Sequence, residues 1–199
     1  MAANVKGFWP VRTTAGAPWN GQVTRYYVPS SDGTAIYCGD AVKLAGTTDG
    51  KGVRAVTRAA AGDALVGIMI GVAPVATNGF NSNTPTPDLN TPQYRAASTG
   101  KYVYVVDDPN VEFTAYVSTG IAEADVGLNV NFTATAGSAY TGMSAEVIDG
   151  ATEATTATLP FKIMEVVQSP DVDPSATALR LVVKINNHQL ASSTGTAGV

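Results

Sequence analysis

A chain with one histidine and one cysteine has few routes to acid–base or nucleophilic chemistry, and here they are His188 and Cys38. A hydrolase built on them would need the imidazole to draw the thiol proton. Cys38 ends the run Ala35–Cys38, a setting that suits a buried small hydrophobe better than an exposed thiolate. His188 stands in Asn186-Asn187-His188-Gln189, a polar cap where the last apolar segment ends. A lone histidine also leaves no imidazole-rich metal centre to build. The reading is therefore non-enzymatic, with a Cys38–His188 hydrolase as the weakest alternative.

Carboxylates offer the next chemistry. Asp107 and Asp108, with Glu112 close by, could hold a structural cation or share a proton. The same Asp-Asp-Pro-Asn run is ordinary turn chemistry, in which Asp side chains accept backbone N–H groups. Asp171 and Asp173 allow the same two readings. The glycines at 62, 67 and 71 follow neither dinucleotide nor P-loop spacing, and no Gly-Lys-Ser/Thr occurs, so no cofactor is expected.

The elements that would position these residues are strands. Only 14% of the residues are charged and the chain is rich in Thr, Ala, Gly and Val, a balance that favours short strands and tight turns. Alternation from Val23 to Val28 ends at a Pro-Ser-Ser-Asp-Gly turn; further strands are expected at Ala41–Leu44, Val53–Thr57, the Gly-interrupted run to Ala73, Lys101–Val106 and Val111–Val117. Val111–Val117 reads as the hairpin partner of Lys101–Val106. Val126–Thr133, Ala145–Ile148, Leu159–Val167 and Leu179–Ile185 continue the series, and Ala122–Val126 is a single helical turn. The expected class is all-β, with one or two small barrels or sandwiches. The expected division is an extended N-terminal arm over 1–22, a β module over 23–76, a Pro-rich linker or loop over 77–94, a second β module over 95–190 and a mobile tail over 191–199. No repeat of fixed period is apparent.

The arm carries Phe8, Trp9 and Trp19 without regular periodicity, so these aromatics must be buried on their own domain or on a neighbour. Pro85, Pro87 and Pro92 stiffen the 77–94 segment as an exposed loop. A net charge of −4 with no basic run argues against nucleic acid. Charge is uneven: residues 1–90 hold seven basic and five acidic groups, residues 91–199 five and eleven. One cysteine permits no internal disulfide, and neither a signal-like head nor a membrane-length apolar run is present, so no membrane partner is expected.

Three stretches, Tyr102–Phe113, Asp125–Phe132 and Leu181–Gln189, together resemble a family of tailed-bacteriophage capsid decoration, or cement, proteins, small structural proteins encoded near the major capsid protein. The Gly-Asp turns in Cys38–Val42 and Ala61–Gly67 are similar to those of capsid-decoration β-barrels. The resemblance implies a virion protein, made in the host bacterial cytoplasm, that sits on the capsid surface and binds the major capsid protein, often as a dimer or trimer. On that reading Phe8, Trp9, Trp19, Pro85, Pro87 and Pro92 are the interface candidates. The competing expectation is a head-fibre or tail-associated module binding host glycans through Tyr26, Tyr27, Tyr94 and Tyr140.

Overall fold

A computed structural model describes residues 7–76, 92–167, 179–191 and 195–198, with only the backbone described at 74–76. Among the described residues eleven strands form: β1 Trp9–Thr13, β2 Thr24–Val28, β3 Ala41–Thr48, β4 Arg54–Arg58, β5 Gly67–Ala76, β6 Lys101–Val106, β7 Val111–Tyr116, β8 Asn129–Thr133, β9 Val147–Ala154, β10 Phe161–Val166 and β11 Arg180–Ile185. Among the described residues the one helical element is a 3-10 turn at Glu123–Asp125, inside the expected 122–126. The chain is all-β.

Two sheets share the strands. The first is a closed barrel of order β2-β4-β3-β5-β6, sealed where β2 and β4 pair in parallel at Tyr27 and Ala55. The second has six strands in the order β1-β7-β11-β10-β8-β9. It curls until the end of β7 meets β9 in a parallel bridge between Val117 and Ile148, with the Ser118 N–H donating to the Ile148 carbonyl at 2.9 Å. Gly150 permits this approach, because a Cβ there would lie 1.8 Å from the Thr119 carbonyl oxygen.

Without β1, the second sheet repeats the first strand for strand. β7-β11-β10-β8-β9 runs in the sense of β2-β6-β5-β3-β4, with the parallel contact at the same seam. Register agrees as well. Tyr27 opposite Tyr102 corresponds to Tyr116 opposite Arg180, and Leu44 opposite Val56 to Phe132 opposite Ile148. Both sheets carry a bulge at the same point, between Met69 and Gly71 in β5 and between Ile163 and Glu165 in β10. A bulge adds one unpaired residue and local twist, which helps a short sheet close.

The sheet boundaries differ from the expected modules. β6, expected in the second module, completes the first barrel, and β1, expected in the arm, is an edge strand of the second sheet. β6 and β7 are therefore not a hairpin: β6 pairs β2 and β5, while β7 pairs β1 and β11. The physical reason is Asp107. Its two carboxylate oxygens accept from the Thr24 hydroxyl and the Tyr26 phenol, both at 2.8 Å, which holds the end of β6 to β2 while the chain crosses to the other sheet.

Two apolar clusters fill the structure. One joins Tyr26, Val28, Ile36, Met69 and Val103 inside the barrel. The other surrounds Phe8, Phe113, Phe132 and Phe161 in the second sheet and also takes in Ala41, Leu65 and Ile68 from the first. Residues 195–198, expected within a mobile tail, are instead held: Asn129 Nδ2 donates to the Thr196 carbonyl at 2.7 Å, and Gly198 N–H donates to the Thr155 carbonyl at 3.1 Å.

Candidate interaction surface

Phe8, the first interface candidate, is fully buried. Its ring stacks on Phe161 at a centroid distance of 4.5 Å and meets Phe132 edge-on at 6.0 Å. It cannot anchor a neighbour while it fills this core, and the expectation that it does is corrected. The correction has a local cause. Gly7, at φ +70°, fits against the Gly39 carbonyl and Ser144, where a Cβ would come within 2.6 Å of three atoms, and the Phe8 N–H donates to the Gly39 carbonyl at 3.0 Å. β1 then pairs with β7, with Pro10 on the sheet edge, where its missing N–H costs little.

Trp9 is half-buried against the barrel core, and Trp19 packs on the second cluster, its indole N–H donating to the Gln22 carbonyl at 3.3 Å. Pro92 is exposed; Pro85 and Pro87 lie outside the described residues. Of the tyrosines, Tyr26 is buried and Tyr94 stacks on Tyr37 at 5.0 Å, whereas Tyr140 is 89% exposed.

Trp9 lines a cleft of about 420 Å³ with Thr114, Tyr116, Met143 and Arg180. Arg180 lies 5.3 Å from the Tyr116 ring centroid and donates to its hydroxyl at 3.0 Å. The Thr114 hydroxyl is buried with no hydrogen-bond partner among the described residues. An aromatic wall with a fixed guanidinium suits a planar or carboxylate-bearing group.

Between the two sheets lies a buried ionic junction that the sequence reading did not single out. Asp40 precedes β3, Arg58 ends β4 and Glu146 precedes β9; both carboxylates are fully buried. Arg58 reaches Glu146 Oε1 at 2.9 Å and Asp40 Oδ2 at 3.3 Å, and also contacts the Thr135 carbonyl. Backbone donors add to this: Tyr37 N–H on the same Asp40 Oδ2 and Ala41 N–H on Glu146 Oε2, both at 2.8 Å, whereas Asp40 Oδ1 is buried with no hydrogen-bond partner among the described residues. Burial pushes both carboxyls upward, Glu146 well above its ordinary range with the nearby Asp40 charge adding to the effect, while Arg58 pulls the other way. Two carboxylates facing one guanidinium favour holding a proton. Backbone bonds cross the same junction, with Cys38 N–H on the Gly142 carbonyl and Leu65 N–H on the Asn187 carbonyl.

The remaining chemical candidates are tied into the fold. The Cys38 thiol donates to the Gln93 carbonyl at 3.3 Å, and burial, followed by the Asp40 charge, pushes it up to about 11. His188 is buried, its Nδ1 accepts the Leu190 N–H at 3.1 Å, and burial lowers its pKa. Asp108 Oδ1 accepts the Asn110 N–H at 2.8 Å, closing the expected turn. No group of three His, Cys, Asp or Glu residues able to hold a metal occurs among the described residues. Asp171 and Asp173 lie outside them.

Arg95 was likewise not anticipated. It is fully buried beyond the Pro-rich segment and donates to the carbonyls of Pro29, Asp32 and Thr99 at 2.6–2.8 Å. Its only sequence signal is a cation among turn residues, because its partners Pro29 and Asp32 lie in a turn some sixty positions upstream. No family model, curated protein or solved structure matches the chain.

Proposed function

We propose that this chain is a non-enzymatic structural protein of a tailed-phage particle that binds the outer capsid surface and stabilises the icosahedral head by bridging subunits of the major capsid protein. The observation that carries this reading is that the groups able to do chemistry, Cys38, His188 and Asp107, are committed to internal hydrogen bonds. The stretches resembling capsid decoration proteins include β6, β7, β8 and β11. A shell held by many weak interfaces gains from a ligand that touches several subunits, since linkage raises effective concentration. Self-association as a dimer or trimer belongs to the same proposal.

The test is addition of the purified protein to heads that lack it, followed by sedimentation and a heat challenge. Saturable binding and a higher temperature of head disruption are expected. Heads that neither bind the protein nor gain stability would refute the proposal. The second reading, binding of host glycans, is favoured by one observation, the cleft of Trp9, Tyr116 and Arg180. Saccharide titration read by tryptophan fluorescence separates it from the first.

A further inference from the structure

Two lysines stand face to face in the second sheet. Phe161 and Ile163 of β10 and Val183 and Ile185 of β11 belong to the core, so the residues between them, Lys162 and Lys184, lie on the outer face. They are directly opposite each other in register, a placement in which like charges repel. Neither lysine forms an ion pair among the described residues. Glu112, opposite Lys184 on β7, is held by Arg12 at 2.6 Å. Lys162 donates to a neutral acceptor, the Ala197 carbonyl, at 2.8 Å.

Both lysines line one cleft of about 370 Å³, together with Asn110, Asn186, His188 and Thr196. His188 is 2% exposed, and its Nδ1 accepts the Leu190 N–H at 3.1 Å, so the neutral ring carries its proton on Nε2. That Nε2 is buried with no hydrogen-bond partner among the described residues. Burial, the largest effect, lowers the imidazole pKa; the Asp107 charge and backbone and the Asp108 charge oppose it, and Lys184 adds to it. The two aspartates are bonded elsewhere, Asp107 to Thr24 and Tyr26 and Asp108 to the Asn110 N–H.

Two ammonium groups beside a ring N–H call for an anion of about two charges with several acceptor oxygens. A phosphomonoester carries roughly −1.5 to −2 at pH 7 and three strong acceptor oxygens, and lysine meets phosphate as a point charge. A carboxylate would bring one charge and two oxygens. The cleft falls in the size range of small-molecule pockets, about 300–1,000 Å³, which leaves room for an organic group on the phosphate.

We propose that the cleft of Lys162, Lys184 and His188 binds the phosphate group of a small phosphomonoester. The site does not depend on the capsid reading, because binding is measured on the isolated chain.

The experiment is equilibrium dialysis of the full chain against labelled glycerol phosphate, with chloride holding the ionic strength constant. One saturable site is expected, with inorganic phosphate competing for it. Lys162→Met and Lys184→Met, checked for folding by thermal unfolding, should each weaken binding about tenfold, as loss of one charge-assisted hydrogen bond implies. Lys162→Arg and Lys184→Arg keep the charge and should stay close to wild type. Lys51→Met removes an exposed lysine elsewhere and should change nothing. The wild-type chain gives a further readout, since its one histidine makes the imidazole NMR signals unambiguous and the ligand should shift them. No saturable uptake, an unmoved imidazole, or methionine variants at 162 and 184 that bind like Lys51→Met would each overturn the proposal. Uptake of inorganic phosphate without glycerol phosphate would overturn the ester.

Discussion

The two sheets have the same strand order, the same seam and the same bulge, but they close differently. The first barrel seals with its own strands, β2 against β4 at Tyr27 and Ala55, around a mainly aliphatic interior with Tyr26 reaching out to Asp107. The second closes only at the Val117–Ile148 bridge and takes an additional strand, β1, whose leading residue Phe8 enters a core of phenylalanines. One frame thus tolerates two fillings. The N-terminal segment completes the second copy, and this explains why Phe8, read in sequence as part of an interface arm, is buried within the chain.

The largest effect that would break this comparison is at Phe8. Phe8→Ala removes a fully buried ring from the second core and should cost about 3–5 kcal/mol, measured as a drop in the urea midpoint at unchanged m-value. A loss below about 1 kcal/mol would mean that the second sheet does not depend on β1.

Arg58→Ala comes next, because it leaves Asp40 and Glu146 buried without their cation. The expected cost is about 3 kcal/mol at neutral pH, in line with breaking a buried pair from one side, and it should shrink under mildly acidic conditions as the carboxyls take up protons. A cost independent of pH would contradict the shared-junction account.

Glycines sharpen the comparison at smaller scale. Gly150→Ala drives a Cβ into the Thr119 carbonyl at the seam of the second sheet and should cost about 1–3 kcal/mol. Gly71→Ala lies at the bulge of the first barrel, where the nearest atom to a new Cβ is 3.8 Å away and where the other copy carries Glu165. It should change stability by less than about 1 kcal/mol. Thermal unfolding of the two variants side by side checks the pair, and a larger cost at Gly71 would undo the correspondence between bulges.

The smallest effect is the pH slope. Glu146 and Asp40 have folded pKa values raised above their unfolded ones. The folded state therefore binds more protons, the stability they contribute is fully present below the unfolded carboxyl pKa of about 4, and it is lost as pH rises through the raised values. His188, with a lowered pKa, acts oppositely: its contribution is present above the unfolded imidazole value of about 6.5 and is lost as pH falls through the folded one. Glu146→Gln, which keeps an acceptor for the Ala41 N–H, should flatten the decline toward neutral pH in denaturant titrations. An unchanged slope would remove Glu146 from the linkage.

Most strands were legible because alternation and turn residues are local: Thr24–Val28, Lys101–Val106 and Arg180–Ile185 each show inward apolar positions bounded by turn signals. Pairing was not legible. Asp107 reads as a turn residue, but its partners Thr24 and Tyr26 lie some eighty positions away, and they turn an apparent hairpin into a crossing between sheets. The repeat escaped notice because it conserves register and the inward–outward alternation, not residue identity, so Tyr26 answers to Ala115 and Gly71 to Glu165. Asp40 and Glu146 are separated by β3 through β8 along the chain, with Arg58 at the end of β4, and no spacing rule joins them. The surface candidates fared unevenly for the same reason: composition identifies Phe8 as a residue that needs burial and does not say where.

The most direct measurement is a cryo-electron reconstruction of tailed-phage particles incubated with this protein. The proposed capsid role predicts density over the outer shell in contact with capsid protein. Density confined to the tail would contradict it.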